Sequence, residues 1–272
     1  MSKYLFRAKT SEAFTIKSLS EVLQNILTDV CFSFDREGEK DGGIRLLTVD
    51  NKVPSRILVH LKLFGKNFDE YHCPKTLTVG INLQHLHKML KSVKKKDTIE
   101  LAILKASPTM LSIISTHGDT GQPVMSEIKI QKLAEVSISI PFKYSHPIHI
   151  PTNAFQKMCK DMQNISSDIQ IYSKGNFLKF SCKEEGMYKR EFPFGTLDEN
   201  SETEDYDEIF HTKLLNQLIK FSGLNARMQF YIPPPAEASN EPLRISINTG
   251  QLGELCIYIK TKDQILAEEA TS

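Results

Sequence analysis

No stretch of the 272-residue chain is apolar for long enough to cross a bilayer, and Met1-Ser2-Lys3-Tyr4 lacks the apolar core of a signal peptide. The chain is therefore expected to be soluble and intracellular. Its five cysteines, Cys31, Cys73, Cys159, Cys182 and Cys256, stand singly without a C-x-x-C pair, which argues against a disulfide framework and a structural zinc site. They read as reduced thiols. Asn164-Ile165-Ser166 matches the glycosylation sequon, a chance match in a chain that is not secreted. Catalytic signatures are missing as well. The eight histidines form no H-E-x-x-H pattern, His85 and His87 point in different directions on a helix, and there is no Walker loop, G-x-G-x-x-G or G-x-S-x-G. No catalytic residue, cofactor or metal is expected, and the chain does not read as an enzyme. Charge of one sign is missing too: 34 basic and 33 acidic residues leave a net +1, so a case for nucleic acid has to come from where the charges sit.

What is present is an ordinary globular composition, 40% hydrophobic and 25% charged, with length for one large domain or two of usual size. The chain also repeats itself. Ser11-Glu12-Ala13-Phe14 opens an apolar-periodic stretch to Leu27, followed by the alternating Asp29-Val30-Cys31-Phe32-Ser33-Phe34. Roughly 140 residues on, Thr152-Asn153-Ala154-Phe155 opens a second periodic stretch to Ile165, followed by Asp168-Ile169-Gln170-Ile171-Tyr172-Ser173. A second module pairs a helix over 83–93 and a strand over 98–104 with a helix over 212–221 and a strand over 228–232. Two helices per half, each leading into strands, indicate a duplication.

Short alternating runs at 44–49, 57–63, 76–79, 110–115, 177–182, 244–247 and 255–259 lie among the helices. With turn signals at Asp41-Gly42-Gly43, Lys174-Gly175-Asn176 and Pro233-Pro234-Pro235, they describe an antiparallel α+β protein. The halves divide into domains over 1–127 and 151–272, joined by a partly extended connector over 128–150 that carries Pro141 and Pro147. The acidic run from Asp198 to Glu208 reads as an exposed, solvated loop.

Three of the four helices repeat one design, and the first follows it more weakly. Over 83–93 the apolar stripe is Leu83, Leu86, Leu90 and Val93, and Lys88, Lys91 and Lys95 fall opposite. Over 154–165 Phe155, Met158, Cys159 and Met162 oppose Lys157 and Lys160; over 212–221 Leu214, Leu215, Leu218 and Ile219 oppose Lys213 and Lys220. In the first helix Ile16, Leu19, Val22, Leu23 and Ile26 oppose Lys17, Ser20 and Gln24. Surface helices ordinarily mix charge signs, whereas these faces offer acid only at their margins, in Glu21 and Asp161. Such faces suit a polyanion: lysines meet duplex phosphates without fixing a register, and phosphate contacts carry no sequence information. An Arg-rich recognition helix, zinc-finger spacing and aromatic stacking motifs are absent, which disfavours sequence reading.

Val79-Gly80-Ile81-Asn82-Leu83, Lys88-Met89-Leu90-Lys91 and Asp97-Thr98-Ile99-Glu100-Leu101 resemble the first domain of the proliferating cell nuclear antigen family. Pro151-Thr152, Phe155, Cys159-Lys160-Asp161, Ile165 and Phe180-Ser181-Cys182 resemble the start of its second domain, and Phe68 to Cys73 and Leu252-Gly253-Glu254-Leu255 with Tyr258 extend the likeness. The resemblance implies a duplicated two-domain DNA clamp fold, antiparallel sheets outside and helices lining a homotrimeric ring. Its inward basic residues would be Lys17, Lys88, Lys91, Lys157, Lys160, Lys213 and Lys220, with Ser18 and Gln24 where the family often has further cations. Subunits of the family join edge strand to edge strand. The similar strands are taken as Met110, Leu111, Ser112, Ile113 and Ile114 in the first domain and Phe177, Leu178, Lys179 and Phe180 in the second.

The resemblance further implies as partners double-stranded DNA, an ATP-dependent clamp loader, and DNA polymerase and other proteins that carry short hydrophobic clamp-binding motifs. The surface for those motifs would use Val49, Val53, Leu133, Val136, Ile138, Pro141 and Pro242. Val53 replaces a family histidine and Lys260-Thr261 the usual Ala-Pro, departures that suit a divergent member from a large DNA virus. The implied function is a sliding clamp for replication and repair, nuclear if cellular and at a viral replication site in the cytoplasm or nucleus if viral. The alternative is a subunit of a heterotrimeric checkpoint clamp, which shares the fold.

Overall fold

Two devices set where the chain turns from strand to helix. Asn82 caps one helix, its side chain accepting from the His85 amide at 3.0 Å, which satisfies one of the amide donors that a helix start leaves open. Near the C-terminus Thr261 and Gln264 cap each other reciprocally: the Gln264 amide donates to Thr261 Oγ1 at 3.1 Å and the Thr261 amide to Gln264 Oε1 at 2.9 Å. The computed structural model describes residues 3–39, 41–53, 55–134, 138–141, 144, 146–184, 187–198, 203, 205–234 and 241–271.

The chain forms two compact units. The first comprises Met1–Thr48, Val59–Ile138 and Asn248–Leu255, and the second Val49–Leu58, Ser139–Ile247 and Cys256–Ser272. In order come β1 (Tyr4–Thr10), α1 (Ala13–Ile26), β2 (Asp29–Phe34), β3 (Gly43–Val49), β4 (Ile57–Phe64), β5 (Glu70–His72), β6 (Leu77–Asn82), α2 (Leu83–Leu90), β7 (Thr98–Leu104), β8 (Ser107–Thr116) and β9 (Pro123–Lys129). There follow β10 (Ile148–Pro151), α3 (Thr152–Gln163), β11 (Asp168–Lys174), β12 (Phe177–Glu184), β13 (Tyr188–Phe194), β14 (Tyr206–His211) and α4 (Thr212–Asn216). The chain closes with β15 (Arg227–Tyr231), β16 (Leu243–Thr249), β17 (Gly253–Ile259) and α5 (Lys262–Thr271).

In the first unit one sheet has the order β5-β1-β7-β8-β9 and the other the order β4-β3-β2-β6. Both sheets and both helices meet in one apolar core. Leu101 and Leu111 from one sheet, Phe32 and Ile81 from the other, and Leu19 and Leu86 from the helices line the same small cavity of about 50 Å³. Phe6 stacks on Phe34 with ring centroids 4.1 Å apart. The second unit repeats the plan with the orders β13-β12-β11-β14 and β10-β15-β16-β17. There Phe155 of α3 sits 6.2 Å from Phe180 of β12 and 5.7 Å from Phe230 of β15, so a single aromatic trio joins the helix to both sheets.

The structure corrects several sequence expectations. Lys129 still pairs with Met110, and Ile148 already pairs with Phe230, so the connector expected over 128–150 loses both ends to strands. Asp207 and Glu208, expected in an exposed loop, belong to β14 and pair with Tyr172 and Ile171. The helix expected over 212–221 stops at Asn216, and Ile219–Gly223 forms a separate tighter turn.

Candidate functional site

The helices pack in pairs, α1 with α2 in the first unit and α3 with α4 in the second. Their apolar stripes are buried: Leu83, Leu86 and Leu90 on α2, and Phe155, Met158, Cys159 and Met162 on α3. Lys88, Lys91, Lys157, Lys160 and Lys213 are exposed. On α1 the outward side is thinner, because Ser18 and Ser20 are buried and Ser20 Oγ lies 3.3 Å from His87 Nδ1. Lys17 is half-buried and donates through Nζ to the Val93 carbonyl at 2.9 Å. The break after Asn216 removes the shared helical face argued for Lys213 and Lys220, and Lys220 is half-buried in the tighter turn.

The connector is held at both ends, in each case within one unit. At its start Gln131 forms a bridge with Gly80, the Gln131 amide donating to the Gly80 carbonyl at 2.9 Å, and Cys31 Sγ lies 3.9 Å from the Leu133 carbonyl. A Cβ on Gly80 would stand 2.4 Å from the Gln131 oxygen and 3.0 Å from Leu133 Cγ, so a side chain there and the connector cannot both keep their places. At its far end Tyr144 donates to the Pro242 carbonyl at 2.9 Å and packs edge-on near Tyr231, while the Arg244 guanidinium lies 4.3 Å from the Tyr231 ring. Burial raises the Tyr144 pKa far above its ordinary value, so it stays a neutral donor.

Of the residues expected at a partner surface, Leu133 and Ile138 belong to the first unit, and Val49, Val53, Pro141 and Pro242 to the second. Val53 is 89% exposed, whereas Leu133, Ile138, Pro141 and Pro242 are half-buried. Val136 lies outside the described residues. Tyr144 was missed, although a tyrosine between two prolines in an apolar connector was there to be read.

The expected interface strands are corrected. Met110, Leu111, Ser112, Ile113 and Ile114 lie in β8, which pairs with β7 on one side and β9 on the other. Phe177, Leu178, Lys179 and Phe180 lie in β12, between β11 and β13. Neither strand is an edge, because its backbone groups are taken up on both sides. Leu111, Ile113, Leu178 and Phe180 are core residues, none more than 2% exposed. One end of each of these sheets is β9 and β13 respectively, and these strands carry the exposed Val124, Met125 and Tyr188.

Residues 5–136 match the family description "Proliferating cell nuclear antigen, N-terminal domain", and residues 139–262 match its C-terminal domain. The chain belongs to the proliferating cell nuclear antigen family. It is 29% identical over 264 residues to a "Probable DNA polymerase sliding clamp 1" of Paramecium bursaria Chlorella virus 1, covering 94% of this chain and 96% of that one. It is 24% identical over 180 residues to the proliferating cell nuclear antigen of Chaetomium thermophilum, covering 66% of each. The crystal structure of the Entamoeba histolytica antigen superposes with a TM-score of 0.80 at 23% identity, over 95% of this chain and 99% of that one. This proliferating cell nuclear antigen family member thus has the fold of the DNA sliding clamps, a family of non-enzymatic processivity factors. Among its described residues no helix is long and apolar enough to cross a membrane, and no group of three His, Cys, Asp or Glu could hold a metal ion.

Proposed function

We propose that the chain is a polymerase processivity factor that encircles duplex DNA without sequence preference and tethers replication and repair proteins to it. The observation that carries this reading is the shared design of two units of one clamp family. In each, a packed helix pair buries an apolar stripe and leaves lysines exposed on the opposite side, Lys88 and Lys91 in one unit and Lys157, Lys160 and Lys213 in the other. Lysines without a bidentate fork favour diffuse phosphate contact over base reading. Lys17 and Lys220, both half-buried, would contribute less to this contact.

The ring would be a homotrimer in which β9 of one subunit pairs with β13 of the next. A heterologous contact of this kind closes into a ring, and it would cover two edges that carry exposed apolar side chains. Opening such a ring needs an ATP-dependent loader, because the chain has no nucleotide motif of its own. Partners with short hydrophobic motifs would use the surface around Val49, Val53, Leu133, Val136, Ile138, Pro141 and Pro242. No catalytic role is assigned. The protein would work wherever its genome is replicated, in the nucleus of a cell or at a viral replication site. Relatives described as a sliding clamp and as proliferating cell nuclear antigen favour this reading over a heterotrimeric checkpoint subunit.

The test is topological retention. Protein loaded onto a circular duplex should stay bound through gel filtration at high salt and be lost once the circle is cut. Equal loss from circular and cut DNA would overturn encirclement.

A further inference from the structure

Four lysines fall within the six residues Lys91-Ser92-Val93-Lys94-Lys95-Lys96 at the end of α2, and α1 adds Lys17 to them. Lys17 Nζ lies 5.6 Å from the centroid of the Phe14 ring, and Lys95 Nζ lies 5.7 Å from the same centroid. Lys17 is also hydrogen-bonded to the Val93 carbonyl. Two ammonium groups are thereby held at one aromatic ring beside the turn.

The turn is braced from within. The buried Asp97 carboxylate accepts from the Lys94 amide at 2.9 Å and the Gly118 amide at 3.2 Å, and it lies 3.3 Å from His117 Nδ1. The Asp97 amide donates back to the Lys94 carbonyl at 3.2 Å. Lys96 directs its charge to Asp119 at 3.3 Å, whereas Lys94 and Lys95 are exposed. A merely solvated lysine run requires none of this. Gathering like charges at fixed positions costs free energy, and an anion that joins them recovers it. A point-charge cation on a long stem suits phosphate oxygens and has no fork for reading bases.

We propose that Lys17 and Lys95, held at the Phe14 ring, together with the exposed Lys94 of the braced turn, bind backbone phosphates of duplex DNA as a cluster alongside the lysine face of α2. This rests on the sliding-clamp reading and adds to it a site of defined position.

The test titrates assembled full-length protein with a short blunt-ended duplex across a salt series. Lys94→Gln with Lys95→Gln should make the slope of log affinity against log salt shallower by about 1.8, at ~0.9 for each phosphate no longer neutralised. Lys96→Gln, whose charge is already taken up by Asp119, should leave the slope unchanged. Phe14→Leu keeps every charge and should weaken binding about threefold, the order expected of an exposed cation–π interaction, with the melting temperature unmoved. A Lys96→Gln effect equal to that of either neighbour would show diffuse charge and overturn the cluster. So would an unaltered slope in the Lys94 and Lys95 variant while Lys88→Gln with Lys91→Gln flattens it, which would leave the clamp reading standing. Unaltered slopes in both double variants would overturn the cluster and the reading beneath it.

Discussion

The Tyr144 hydroxyl donates to the Pro242 carbonyl at 2.9 Å, which ties the far end of the connector to the residue that precedes β16. Tyr144→Phe keeps the ring among Tyr231 and Tyr258 and removes only that bond, worth ~1 kcal/mol. Amide exchange around Tyr144 should accelerate about fivefold while β15 and β16 stay protected. Unchanged exchange would mean that ring packing alone holds the segment.

At the connector's other end, Gly80→Ala places a methyl group 2.4 Å from the Gln131 carbonyl oxygen. The bridge between residues 80 and 131 should open, at a cost of ~1–3 kcal/mol in urea unfolding, the usual range for overpacking. Stability equal to that of the parent would show that the connector shifts freely.

Assembly and folding should separate by strand. Val124→Glu with Met125→Glu on β9 changes exposed residues, so it should weaken self-association while leaving the melting temperature nearly unchanged. Ile113→Ala on β8 should instead lower the stability of the fold itself by ~2–5 kcal/mol, because Ile113 is 2% exposed. Sedimentation and calorimetry on the two variants distinguish the edges from the interior strands.

The acid limb of stability should depend on Asp97. Burial pushes its pKa up, but donation from the Lys94 and Gly118 amides and from His117 outweighs this and leaves it below the ordinary 3.8. A lowered folded value means that the unfolded chain takes up the proton more readily. The stabilisation is therefore complete above about pH 4 and is lost as the pH falls through the folded value beneath it. Asp97→Asn should cost ~1.5–3 kcal/mol at neutral pH, and the gap to the parent should close in acid. A gap that persists at low pH would contradict the charge-based account.

Most of the helical layout was legible in the sequence, because α1, α2 and α3 each bury a stripe at helical spacing. The edge strands were not. β9 reads Pro-Val-Met-Ser-Glu-Ile-Lys with only Ile128 buried, so an edge facing solvent leaves no alternation to find. Sequence alternation accordingly points to edges one strand too far inward in each half, at runs whose strong alternation reflects core burial. β14 was hidden by Asp207 and Glu208, whose acidity suggested a loop. α5 buries only Ile265, which leaves no periodic stripe, although Thr261 and Gln264 carried its capping signature. On the lysine faces, helical spacing located Lys88, Lys91, Lys157 and Lys160, but it could not register the break that parts Lys213 from Lys220.

Reversing charge at Lys88, Lys91, Lys157 and Lys160 should abolish stimulation of a polymerase while the protein keeps its assembly state. All four are exposed, so the fold should not suffer. Stimulation that survives at physiological salt would remove the lysine faces from the mechanism.

Ring closure is the claim on which the rest depends, and the solution mass of the purified protein, followed by light scattering through a dilution series, tests it most directly. The account predicts a mass three times that of the 30.9 kDa chain. A monomer at every concentration would contradict it.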